Sequence, residues 1–139
     1  MTENIRAKIL AEALCEINRH GADFHMDDLA RNLRISKRTL YEHFSSKQEI
    51  IEQAISDFTN KIYAYHRRIV SDSTMTCEAK LIAYFDVPSD NWQVLSVRKA
   101  SELLTKMPDV WNRLQSRYEK DWRLLEQLLD EAQETGEFK

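Results

Sequence analysis

Residues 21–50 read GADFHMDDLARNLRISKRTLYEHFSSKQEI, and this stretch decides the fold. Two short helices joined by a tight turn run straight into the start of a longer helix. The second short helix gathers Lys37, Arg38, Thr39, Tyr41 and His43 within seven residues, with Leu40 and Phe44 as its apolar pair. Apolar residues hold one face down while basic and polar residues occupy the other. That is the plan of a helix-turn-helix, whose outer face meets DNA. With Leu40 and Phe44 inward, a rotation of ~100° per residue sets Arg38 on the far side, flanked by Thr39 and Tyr41. Lys37 falls at the helix start, where recognition helices reach base edges.

The surrounding residues mark the ends of these helices. Ile9, Leu10, Ala13, Leu14 and Ile17 recur at helical spacing, which predicts a first helix from about Thr2 or Glu3 to Arg19 with one apolar face. Gly21 suits its end, because glycine adopts the left-handed backbone of a helix stop. A second helix spans Met26 to Leu33, with Asp27 and Asp28 near its positive dipole end. Ser36 caps a third. Ser46 and Glu49 form a Ser-x-x-Glu capping box that opens a fourth helix with a buried stripe of Ile50, Ile51, Ala54, Ile55, Phe58, Ile62 and Tyr65.

Gly21, the block Met26 to Ala30, the block Ile35 to Phe44, and Ser46-Lys47 carry a resemblance to the TetR-type (tetracycline-repressor-like) transcriptional regulators. The run from Thr39 to Lys47 (T-L-Y-x-H-F-x-S-K) is its most specific part. The resemblance covers roughly the first third of the chain. It implies that Lys37 and Arg38 read bases and that Thr39, Tyr41, His43 and Lys47 mostly hold phosphates, Tyr41 also reaching a base. Ser36 joins this DNA-binding set, and His25 and Met26 add backbone contacts. Arginine and lysine favour guanine through O6 and N7, so guanine is expected in each half of the site. Three residues depart from the family pattern: His25 where Thr or Ser usually precedes the second helix, Arg34 where the turn usually has Gly, and Arg38 where many members have Gly.

Composition agrees with an all-helical chain. Of 139 residues only two are glycine and two proline, far below the usual ~7% and ~5%, so few backbone breakers interrupt the helices. Hydrophobic content of 42% supports a packed core over disorder. No run approaches the ~18 apolar residues of a membrane span, and the N-terminus lacks the apolar core of a signal peptide. Cys15 and Cys77 share no metal or redox spacing, which points to a reducing, cytoplasmic setting. Net charge is −3, unlike a protein that coats nucleic acid indiscriminately. The charge is unevenly placed: residues 31–47 hold five basic side chains against one acidic, and residues 51–139 hold twelve against fifteen. A local basic patch on an acidic body suits a site-specific DNA binder.

Further along, residues 71–76 (SDSTMT) read as a loop. A short helix from Cys77 to Phe85 follows, then a helix started by Pro88-Ser89-Asp90 and ending near Met107. Pro108-Asp109 opens a last long helix through Ala132, bearing Trp111, Leu114, Tyr118, Leu125 and Leu129. The expected organisation is therefore all-α. A three-helix head at 1–47 is joined by helix four (47–69) to a helical effector-binding and dimerisation body at 70–139. Relatives of this type usually continue through two more helices that form most of the dimer interface, so the chain reads as a short or truncated member.

Tyr84, Phe85, Trp92, Trp111, Tyr118 and Trp122 are candidates to line an effector pocket, since pockets between bundle helices are common ligand sites. Aromatic residues at helical spacing are more often plain core. Arg98, Lys99 and Arg113 are better read as solvated surface than as an anion site. Glu16 and His20, four apart, lack a third ligand and read as a surface pair. No Glu-x-x-His, Gly-rich phosphate loop or nucleophile elbow occurs, so no cofactor is expected and an enzyme is poorly supported. Two functions remain: a dimeric regulator, read as a repressor, that binds a palindromic operator on double-stranded DNA and is released by an unidentified small molecule; or a helical protein-interaction module that keeps the head without specific DNA binding.

Overall fold

A computed structural model describes residues 2–87 and 95–136 of the chain. Its first helix, α1 (Thr2–His20), buries the expected stripe of Ile9, Leu10, Ala13, Leu14 and Ile17. Burying a large aliphatic side chain is worth ~1.5 to 3 kcal/mol, so this face anchors everything that packs on it. Gly21 ends α1 at φ +63, a conformation that costs glycine least. A 3₁₀ turn, Gly21–Asp23, follows and delivers Phe24 into the core.

The next helices are α2 (Met26–Leu33) and α3 (Lys37–His43). No side chain caps α2 at His25, as expected where a serine or threonine oxygen is missing. Arg34 ends α2 in the left-handed region, at φ 59 and ψ 39. The Ile35 amide donates to the Ala30 carbonyl at 3.0 Å and the Arg34 amide to the Arg31 carbonyl at 3.0 Å. These are the two hydrogen bonds of a Schellman stop, which normally uses glycine. A side chain in this conformation is strained, whereas glycine is not. Arg34→Gly is therefore expected to stabilise the head by about 0.5 to 1 kcal/mol, read as a raised midpoint in chemical denaturation.

Helix α4 (Lys47–Val70) opens with a modified capping box. The Ser46 hydroxyl accepts from the Glu49 amide at 3.1 Å. The Glu49 carboxylate returns to Ser45, accepting from its amide at 2.8 Å and from its hydroxyl. That hydroxyl, and secondly the amide, hold the Glu49 carboxyl below its ordinary value of 4.5. A depressed folded-state pKa makes this stabilisation complete above pH 4.5 and lost as pH falls through the lowered folded value. Glu49→Ala should melt below the parent at neutral pH, with the gap closing in acid; a pH-independent gap would mean the charge plays no part.

The remaining helices are α5 (Cys77–Phe85), α6 (Val97–Lys106) and α7 (Pro108–Glu134), with no strand among the described residues. Thr76 and Ser96 cap α5 and α6. The expected helix start at Pro88-Ser89-Asp90 lies outside the described residues, and α6 is described from Val97.

The chain forms two compact units, Met1–Phe58 with Ser89–Asn112, and Thr59–Pro88 with Arg113–Lys139. Helices α4 and α7 each contribute to both. In the first unit α1 packs on α2, the 3₁₀ turn and α6, and α2 packs on α3. Asn18 of α1 accepts a hydrogen bond from the Ser96 amide at 2.7 Å.

The second unit is organised around a buried polar cluster. His66 places Nδ1 2.7 Å from Asp121 Oδ1 and Nε2 2.8 Å from the Tyr84 carbonyl. The Tyr84 hydroxyl donates to the same carboxylate oxygen at 2.7 Å, and its ring stacks on the imidazole. Burial, and secondly the bond to Asp121, push the Tyr84 phenol well above its ordinary value.

The expected stripe of α4 is corrected here. In α4 Ile50, Ile51, Ala54 and Ile55 are buried, but Phe58, Ile62 and Tyr65 are only half-buried, and Thr59, His66, Ile69 and Val70 complete the interior. In α7 the buried residues are Val110, Leu114, Leu128 and Ala132, while Trp111 and Leu129 are exposed. Hydrogen-bonded polar groups such as Thr59 and His66 can occupy interior positions, so apolar spacing alone misplaced part of the α4 face.

Candidate nucleic-acid interface

Helix α3 is held from three sides. The Ser36 hydroxyl accepts from the Thr39 amide at 3.0 Å and donates to Thr39 Oγ1 at 3.0 Å, which fixes the helix start. Leu40 and Phe44 are fully buried and fix its inner face. At its end Arg6 of α1 donates to the His43 carbonyl at 3.2 Å, one of the carbonyls a helix terminus leaves unpaired. The same guanidinium lies 4.5 Å from the centre of the Phe44 ring and bonds Gln53 of α4. Sequence reading passed over Arg6. Its one signal was position, three and four residues before Ile9 and Leu10 at the edge of the α1 stripe.

The outer face is left free for a partner. The Arg38 side chain is 90% exposed and lies 3.5 Å from Glu42 along its own helix. Tyr41 is 47% exposed, and Thr39 and His43 are half-buried. Lys37 reaches back across the turn to Asp27 at the start of α2, Nζ to Oδ1 2.9 Å. A hydrogen bond and charge attraction from Lys37 lower the Asp27 carboxyl, and the same contact raises Lys37. Lys47 lies with its ammonium 4.6 Å from the centre of the Phe24 ring, and burial pulls its pKa down. Of the two added positions, His25 is exposed and Met26 half-buried.

Glu16 of α1 is buried, where a surface pair with His20 had been expected. Its carboxylate accepts from Asn32 of α2 at 2.8 Å, with Arg19 at 3.6 Å and His20 at 3.8 Å. Glu16 therefore joins α1 to α2 through Asn32. Among the described residues no three His, Cys, Asp or Glu side chains converge to hold a metal ion, and none of their helices is long and apolar enough to cross a membrane.

The aromatic candidates do not gather in one unit. Trp111 belongs to the first and Tyr84, Phe85, Tyr118 and Trp122 to the second, while Trp92 lies outside the described residues. Tyr84 is buried in the His66 cluster and Tyr118 is half-buried, whereas Phe85 is 71% and Trp122 60% exposed.

A capped recognition helix with a buried apolar pair and an exposed arginine face defines a helix-turn-helix DNA-binding protein. Comparison with known proteins agrees. Residues 9–54 match the model of the bacterial regulatory proteins of the tetR family. The chain is 28% identical over 127 residues to the uncharacterised HTH-type transcriptional regulator YvaF of Bacillus subtilis (strain 168), covering 91% of this chain and 67% of that protein. No solved structure matches. The head therefore carries the sequence signature of the tetR family of helix-turn-helix regulators.

Proposed function

We propose that this regulator binds a palindromic operator as a homodimer, acts as a repressor, and is released by a small-molecule effector. The observation that carries the reading is the outward face of α3, where Arg38 stands almost fully exposed on a helix capped by Ser36 and tied down by Arg6. On this reading residues 1–47 are the DNA-binding head, 47–69 the connector and 70–139 the effector and dimerisation body. Lys37 and Arg38 take base edges, and Ser36, Thr39, Tyr41, His43 and Lys47 hold the backbone, helped by His25 and Met26. Two such helices about 34 to 36 Å apart meet successive major grooves. An effector that binds better to the wrong spacing releases the DNA, since only a difference in affinity between states shifts an equilibrium. The effector part rests on the resemblance of the head to the tetR regulators, with Tyr84, Phe85, Trp92, Trp111, Tyr118 and Trp122 as its candidate residues.

Selection from a randomised duplex pool at two salt concentrations, alongside the mass of the protein in solution, tests this. Enrichment of a palindrome by a dimer is the expected result. Salt-sensitive but sequence-blind binding by a monomer would overturn it and favour an interaction module.

A further inference from the structure

The Lys37–Asp27 pair is the one described ion pair that crosses the helix-turn-helix turn, joining the start of α2 to the start of α3. Both side chains are more than half exposed, so burial does not hold them together. His25 and Arg31 are the other basic groups beside Asp27, and Tyr41 is the other titratable group beside Lys37. We propose that Asp27 is a specificity-determining residue that positions Lys37 for the base edge. This rests on the reading of Lys37 as a base contact.

The chemistry is that of an ammonium with three donors. One N–H is spent on Asp27 at 2.9 Å, and two remain for the O6 and N7 acceptors of a guanine. A free lysine is a flexible point charge that attaches to any phosphate. A lysine already paired has less side-chain freedom to lose and little net charge to offer phosphates. Asp27 thus converts Lys37 from a sequence-blind attraction into a directed hydrogen-bond donor.

Simple removal of an acidic charge and loss of positioning have opposite signs at the operator, which makes the proposal testable. Binding of Asp27→Asn, Lys37→Gln, the double variant and Asp27→Glu is measured by fluorescence anisotropy. The probes are the selected operator and an unrelated duplex of equal length, at several salt concentrations, with thermal melts to confirm folding. Asp27→Asn should bind the unrelated duplex more tightly, with a salt slope steeper by about 0.9, the value of one more phosphate contact. Its preference for operator should fall by about two- to fivefold, the worth of an exposed ion pair. Asp27→Glu should restore that preference, and Asp27→Asn should leave it unchanged when Lys37 is already glutamine. Equal tightening on both duplexes, or the same effect without Lys37, would overturn the proposal. An operator preference untouched by Lys37→Gln would instead remove Lys37 from the base-reading set.

Discussion

Asp121→Leu is expected to destabilise the second unit by about 1 to 3 kcal/mol, the cost of leaving a buried hydrogen-bonding group without its partner. His66 is buried, with Nδ1 2.7 Å from Asp121 and Nε2 2.8 Å from the Tyr84 carbonyl. A carbonyl oxygen only accepts, so Nε2 donates there, and a proton between Nδ1 and Oδ1 completes the second bond. Leucine would leave Nδ1 without a partner in a dry site. The Tyr84 hydroxyl would keep only the backbone carbonyl of residue 121, now at 3.1 Å. Urea unfolding followed by circular dichroism reads the loss. The companion variant, with both His66 and Asp121 replaced by leucine, should recover most of it, because replacing a whole buried pair by apolar groups is often neutral. A loss under ~1 kcal/mol in the single variant would place the cluster among ordinary exposed pairs.

Arg38→Ala should cost about 1 to 3 kcal/mol of discrimination for guanine at one position of each half-site, or roughly 5- to 150-fold. The side chain is almost wholly exposed and its partner Glu42 lies on the same short helix, so truncation should leave the fold intact. Affinities for the operator and for operator with that guanine replaced provide the measurement. Parent protein should distinguish the two duplexes and the variant should not. If the variant kept the parent's preference, another residue would read that position. The effect should persist at higher salt, since a base contact carries little of the counterion release that phosphates do.

Much of the head was legible from residues alone because its signals are local. Ser36 was expected to cap α3 and does so. Gly21 was expected to end α1 and takes the left-handed conformation. Leu40 and Phe44, four apart on one helix, were expected to point inward and are fully buried. Each inference needed only the ~3.6-residue period or the conformational preference of one residue type.

Contacts between distant residues were not legible. Arg6 closes the end of α3 across 37 positions of chain. His66, Tyr84 and Asp121 are ordinary surface residue types whose convergence has no sequence spacing to announce it. The buried face of α7 was not legible either, because Trp111 and Leu129 share a helix with Val110, Leu114 and Leu128. Rotation by ~100° per residue leaves the choice of face to whatever packs against it.

By itself the sequence determined an all-helical chain and a capped recognition helix with a basic outer face, because capping, turning and amphipathic spacing act over a few residues. Only the tertiary structure decided that Arg6 holds that helix, that Asp27 holds Lys37, and that a histidine–aspartate–tyrosine cluster occupies the second unit. Those choices depend on which groups, apart in the chain, the fold brings within hydrogen-bonding reach of one another.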